Sequence, residues 1–256
     1  MYLQPLGNNP NGLFTSFQRS IIVYNASEPN RRKGTHSLRV FVYSLIGIPL
    51  LLLDAVLLYT LPACFSGRIT LTQTAIAGGG VAAYLLFHLL IRKPERLYLW
   101  GHEFTHLIAA KIFLRQVHGF HITSKTGGKV VIDRTNVVID LAPYAIPFYC
   151  LLAVGPALLF RSKFTYIREI YLAISAFFFM MHLYFSLEGF VQGQSDLKRS
   201  GRVFSGAIVL LCLLLLIPIL WAPATRAGFH GITSFYGEWF NSGFSVLRRI
   251  THHKMF

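Results

Sequence analysis

With 256 residues, 54% of them apolar or aromatic and only 13% charged, and a mean hydropathy of +0.51, the chain carries too much apolar surface for an ordinary soluble domain. Lys and Arg outnumber Asp and Glu by 24 to 10. The basic residues lie in short loops between apolar runs, however, as anionic headgroups and the positive-inside rule produce, and no nucleic-acid-binding motif is present.

Residues 1–38 are polar, lack the early apolar core of a cleavable signal peptide, and end near Arg31-Arg32-Lys33; they read as a loosely ordered basic segment. Six apolar segments follow at 39–61, 72–91, 97–114, 137–160, 166–187 and 203–221, each near the length needed to cross a bilayer. The expected fold is therefore an all-α polytopic membrane protein of about six transmembrane helices, spanning 39–221. Residues 222–256 mix Phe229, Trp239, Phe240 and Leu247 with polar residues and then Arg248, Arg249 and Lys254, as a helix lying in the membrane interface would. The Lys and Arg distribution favours cytoplasmic N- and C-termini. Of the three cysteines, Cys64, Cys150 and Cys212, the last two fall in apolar runs and read as small packing residues rather than a disulfide framework.

Within the first segment, Asp54 is an acid in mid-membrane, either a proton relay or a partner for His88 in the second. Gly78-Gly79-Gly80, with Ala75, Ala77 and Ala82, permits close helix approach in the second. The third segment contains Gly101-His102-Glu103-Phe104-Thr105-His106. Four residues apart on a helix, the two His side chains share a face and can both meet one Zn²⁺, with Glu103 placed as general base. Behind it, short β-prone runs flank Thr126-Gly127-Gly128, which predicts a β-hairpin after the zinc-motif helix. Its basic residues (Arg115, Lys125, Lys129, Arg134) sit on the nominally external side, so the hairpin is expected to fold back into the protein. There it offers an edge strand to an extended peptide. Pro143, Pro147 and Gly155-Pro156 bend or break the fourth segment.

A catalytic zinc takes three protein ligands. A third His six residues beyond His106 is absent, since Ile112 stands there, and the next acids are Asp133 and Asp140. Asp133 is expected to pair with Arg134 or Lys129, and Asp140 to cap the fourth helix. Further candidates are His182 and Glu188 at the end of the fifth segment and Asp196 in the turn beyond it.

The His-Glu-x-x-His helix, the Gly-Gly hairpin and Ala153-Val154-Gly155-Pro156 downstream resemble features of the site-2 protease family, the intramembrane zinc metallopeptidases. Residues 95–205 more closely resemble a bacterial branch of that family, through a His-containing fifth helix, Gly193-Gln194-Ser195-Asp196 and Gly201-Arg202-Val203-Phe204-Ser205. The better-known members place the third ligand in a Leu-Asp-Gly motif; here the local match is Leu187-Glu188-Gly189, with Glu for Asp. The resemblance therefore carries the third ligand to Asp196, with His182 as the alternative. It implies a zinc endopeptidase in which Glu103 acts as catalytic base, with Gln194 or the hairpin stabilising the oxyanion. The implied substrate is a transmembrane or membrane-proximal peptide in the bacterial inner membrane, and the implied partners are lipid and a membrane protein. A non-catalytic zinc scaffold and a metal or solute transporter are the alternatives. Geometry sets one condition. His102 would lie about 10 Å into the membrane at 1.5 Å per residue, and a straight fifth helix would leave Asp196 near the opposite face. The site closes only if residues 188–200 fold back or the third helix starts deeper.

Overall fold

A computed structural model of the chain describes residues 20–23, 32–123, 127–160, 163–164, 166–226 and 228–252. Most of the basic segment expected over 1–38 therefore lies outside the described residues, as do Lys125 and Thr126 of the hairpin turn and Lys254. The elements run β1 (Ser20–Val23), α1 (Arg32–Phe65), α2 (Leu71–Leu86, prolonged by a π turn over Phe87–Ile91), α3 (Glu95–Ile112), β2 (Val117–Thr123) and β3 (Gly127–Ile132). They continue with α4 (Val137–Ala145), α5 (Phe148–Leu159), α6 (Ile167–Gln192), α7 (Ser195–Arg199), α8 (Arg202–Trp221) and α9 (Ile232–His252).

Among the described residues, four helical stretches are long and apolar enough to cross a membrane: Leu38–Phe65, Leu71–Ile91, Ile167–Gln192 and Arg202–Ala224. A fifth arises if α4 and α5, bent by 65°, count as one broken span. By length and composition, the described residues thus supply four or five of the six expected spans. The third is not among them because α3 starts at Glu95, two residues before the expected segment, so its 18 residues carry Glu95 and Arg96 as well as Glu103 and Lys111, a charge load that lipid disfavours. The fourth breaks at Ile146-Pro147. Proline disfavours the helical region for the residue before it, and Ile146 is extended, with φ −112° and ψ 107°.

The candidate spans show their apolar residues outward. Leu71, Leu89 and Leu90 are each more than three-quarters exposed, while Asp54, His102, Glu103, His106 and Asp196 are buried. An exterior of this kind suits contact with lipid, where only the interior can satisfy polar groups.

Two close approaches hold the span pairs together. α2 lies on α6 at Gly80, where an added Cβ would stand 2.3 Å from the Ala173 carbonyl oxygen. Gly78 and Gly79 have open space instead, so one glycine of the three makes the contact. α1 meets the start of α8 at Gly47, where a Cβ would lie 2.9 Å from the Phe204 backbone. α9 packs on α1 through Trp239, fully buried, whose Nε1–H donates to the Leu57 carbonyl at 3.0 Å and to Thr60 Oγ1 at 3.1 Å. Leu57, Leu61, Leu214 and Phe235 complete that core.

Beside the spans, α3, α4 and the sheet form a second core from Ala109, Ala110, Val130, Ile132, Ile139 and Ala142. The sheet has the order β1-β3-β2. β2 and β3 form the expected antiparallel hairpin, closed at its base where the Gln116 amide donates to Asp133 Oδ1 and the Asp133 amide to the Gln116 carbonyl, both at 3.1 Å. Asp133 is thus held by Gln116, not by the basic residues expected for it. The third strand was not foreseen. β1 pairs parallel with β3, Ser20 opposite Lys129 and Val23 opposite Ile132.

The Gly80 contact generates a contrast between neighbours. Gly80→Ala should destabilise the protein by about 1–3 kcal/mol, since the helices must separate, whereas Gly79→Ala should gain up to about 1 kcal/mol of helix propensity. Melting temperatures of the two purified variants in detergent, compared with the unsubstituted protein, check this.

Candidate metal centre

His102, Glu103 and His106 project from α3, with 2%, 0% and 1% of their surfaces exposed. The helix reaches this depth because Gly101 admits α5: a Cβ there would stand 2.8 Å from Tyr149 Cε2. Thr105 turns its hydroxyl back to the Gly101 carbonyl at 2.7 Å and so adds no competing polar group. Phe104, on the opposite face, is 40% exposed and meets Phe148 edge-on.

Asp196 arrives from the far side of the chain. α6 ends at Gly193, whose φ of 66° is the left-handed region that glycine adopts without cost. The Gln194 amide closes that turn on the Gly189 carbonyl at 3.1 Å. The single-turn helix α7 then carries Asp196 inward, and Gly201, with φ 83°, leads into α8. Ser205 Oγ donates to the Leu197 carbonyl at 2.9 Å and ties α7 to α8. Residues 193–201 thereby fold back, and Asp196 is fully buried.

Among the described residues, His102, His106 and Asp196 form one group whose ligand atoms all lie within 4.8 Å of one another. His106 Nε2 stands 3.5 Å from Asp196 Oδ2. That is long for a charge-assisted N–H···O bond, normally about 2.7–2.9 Å, and close to the edge of a zinc tetrahedron, about 3.3 Å for ligand bonds near 2.0 Å. Two imidazoles, one carboxylate and a further acid at Glu103, all removed from solvent, are a donor set that a divalent cation would neutralise. The residues present fit a metal ion.

His106 is oriented by a consequence of proline chemistry. In α4, the Ile139 carbonyl would normally accept from the amide four residues on, but residue 143 is proline and has no N–H. His106 Nδ1–H donates to that carbonyl at 2.9 Å. This assigns the proton to Nδ1 and turns Nε2 toward Asp196, the backbone support that metal-binding imidazoles ordinarily have. The break after α4 acts similarly on His182. Its Nε2–H donates to the Tyr144 carbonyl at 2.8 Å, and His182 stands outside the group of three.

The remaining candidates separate. Glu188 pairs with Lys93 at 3.3 Å, not with the group. Burial works against the Lys93 ammonium, but Tyr184 and Glu188 outweigh it and hold its pKa above the ordinary lysine value. Gln194 Nε2 donates to Gln192 Oε1 at 3.4 Å. Asp140 does not cap α4: Asn136 does, accepting from the Ile139 amide at 2.9 Å. Asp140 Oδ1 instead accepts from Thr135 Oγ1 at 2.6 Å and from Arg199 Nη1 at 3.3 Å, joining α4 to the helix that bears Asp196. His88 Nδ1 lies 2.9 Å from the Tyr84 hydroxyl rather than with Asp54. Asp54 itself is fully buried in α1.

Sequence reading passed over Gly128 altogether as a site residue. A Cβ there would stand 2.4 Å from Glu103 Cγ and 2.6 Å from its Oε1, so the bare backbone of β3 lies against the carboxylate. The Gly-Gly pair was visible; that the second glycine serves Glu103 was not. Comparison with known proteins adds nothing to this geometry, as no family model, curated protein or solved structure matches the chain.

Metal content should follow the grouping. His102→Ala and Asp196→Ala should lose the bound ion, while His182→Ala keeps it, as elemental analysis of detergent-purified protein would read. Asp140→Asn leaves every donor in place but loosens α7, so its metal affinity should fall about 10- to 100-fold, measured by competition with a chromogenic chelator.

Proposed function

We propose that the protein is an integral-membrane zinc endopeptidase of the site-2 protease type. The observation that carries this reading is the meeting of the His-Glu-x-x-His helix with Asp196, two imidazoles and a carboxylate in one buried group beside a second acid. His102, His106 and Asp196 would hold the ion. When bound, zinc supplies Lewis acidity, polarising a peptide carbonyl and making a water acidic enough to react near neutral pH. Glu103 takes the proton of the attacking water and returns it to the leaving amine. The bare backbone at Gly128 lies against the Glu103 carboxylate, which limits the room it has to swing.

The four to five apolar spans and the outward Leu residues support a substrate drawn from the membrane or its margin. A helical substrate must unwind before hydrolysis, and an edge of the small sheet is the natural receiver of an extended chain. With four spans both termini share one face, and the basic residues near them (Arg32, Lys33, Arg248, Arg249) support a cytoplasmic one; the bacterial inner membrane follows from the resemblance alone. Lipid surrounds the molecule in this reading, and a membrane-protein partner remains compatible with it.

Glu103→Gln should abolish cleavage, by at least about 100-fold in kcat, while the protein still binds one zinc per chain. The assay uses proteoliposomes and a library of labelled transmembrane peptides, with products read by mass spectrometry. Zinc bound at full stoichiometry with no Glu103-dependent product from any peptide would replace the peptidase reading with that of a zinc-holding scaffold.

A further inference from the structure

β1 is an unusual partner for β3. The hairpin needs only β2, and β3 would otherwise present an open edge on its other side. That edge is taken by Ser20–Val23, four residues that join it from more than a hundred positions away. The same short strand also lies against α7, the helix that carries Asp196. Its pairing begins at Lys129, one residue past Gly128, whose backbone abuts Glu103. β1 therefore occupies the slot between the strand beside the general base and the helix beside the third ligand.

From this we propose that residues 20–23 are a built-in occupant of the peptide-strand slot, a strap that must leave before an extended substrate can pair with β3. The inference rests on the peptidase reading for the identity of the displaced ligand. Three physical points support it. A sheet edge is a template for any extended chain, with main-chain hydrogen bonds giving affinity and little sequence dependence. A four-residue parallel pair is weak by itself, because parallel ladders are the less stable kind and short strands are marginal. Its tether nonetheless holds it in place: eight residues separate Val23 from Arg32 at the start of α1, and a short linker gives an effective concentration in the millimolar range. The strap is thus weak enough to open and local enough to exclude a dilute competitor. Pairing is parallel, so a substrate in the same register passes the Gly128 end first. The bond brought to Glu103 then precedes the paired tetrapeptide.

The test uses the full-length protein in detergent and a fluorescent synthetic peptide copying residues 16–26, Ser-Phe-Gln-Arg-Ser-Ile-Ile-Val-Tyr-Asn-Ala. In a parallel pair alternate residues bond the partner strand, so Ile21→Pro and Ile22→Pro are compared; one of them removes an N–H directed at β3. That variant should bind the peptide at least about 10-fold more tightly than the unsubstituted protein, as expected when a slot occupied nine-tenths of the time is vacated. Equal affinity in all three proteins, or no binding in any, overturns the proposal. A second measurement does not depend on the proline variants folding. A photo-crosslinking residue in place of Lys129 should join the segment containing residues 20–23, and excess peptide should divert that crosslink to itself; crosslinks to other segments only would also overturn it. The two readings fail separately. A strap that opens onto tight peptide binding, without Glu103-dependent cleavage, survives while the peptidase reading falls. Glu103-dependent cleavage with the same KM in all three proteins does the reverse.

Discussion

Burial of a carboxylate beside two imidazoles is the constraint from which the rest of this structure can be read. Removing an ionised Asp from water costs several kcal/mol unless an opposite charge and well-directed donors offset it. Asp196 is fully buried, with His106 3.5 Å away and His102 in the same group. Around them, the fold spends its irregularities. Gly193 and Gly201 turn the chain back toward the interior, the chain bends between α4 and α5 at Ile146-Pro147, and α3 keeps its charges out of the candidate spans.

Pro143 inside α4 and Pro147 just beyond it are more than helix breakers. Pro143 withholds an N–H and leaves the Ile139 carbonyl open to His106; the break at Pro147 leaves the Tyr144 carbonyl open to His182. Each freed carbonyl holds one histidine, and only one of those histidines joins the group of three. The Thr135–Asp140–Arg199 contacts then fasten α7 to α4. The site stands on helices from three separate parts of the chain. It is stiffened by backbone acceptors rather than by more ligands.

What sequence could reveal follows the range of each interaction. The pairing of His102 with His106 is local to one helix turn and legible at once, and so is the hairpin around Gly127-Gly128. That Asp196 lies beside them depends on two left-handed glycines and a five-residue helix; the sequence offered it as one of three candidates with His182 and Glu188, and only the resemblance chose among them. The expected third segment, 97–114, leaves out Glu95 and Arg96; the helix begins at Glu95 and takes in both charges. The role of Pro143 was derivable from its missing N–H, once one asked which carbonyl it leaves open. β1 was not legible. Ile21-Ile22-Val23 is a short apolar run in a polar segment, and its partner is more than a hundred residues away, beyond any local pattern.

The central claim is that one zinc ion is held jointly by His102, His106 and Asp196. Crystals of the zinc-loaded protein, measured on both sides of the zinc absorption edge, test it most directly. A single anomalous peak within about 2.0–2.2 Å of an imidazole nitrogen of each histidine and a carboxylate oxygen of Asp196 is the predicted result. A peak centred on His182, a peak bounded by the two α3 histidines with Asp196 turned away, or no peak among these residues would contradict it.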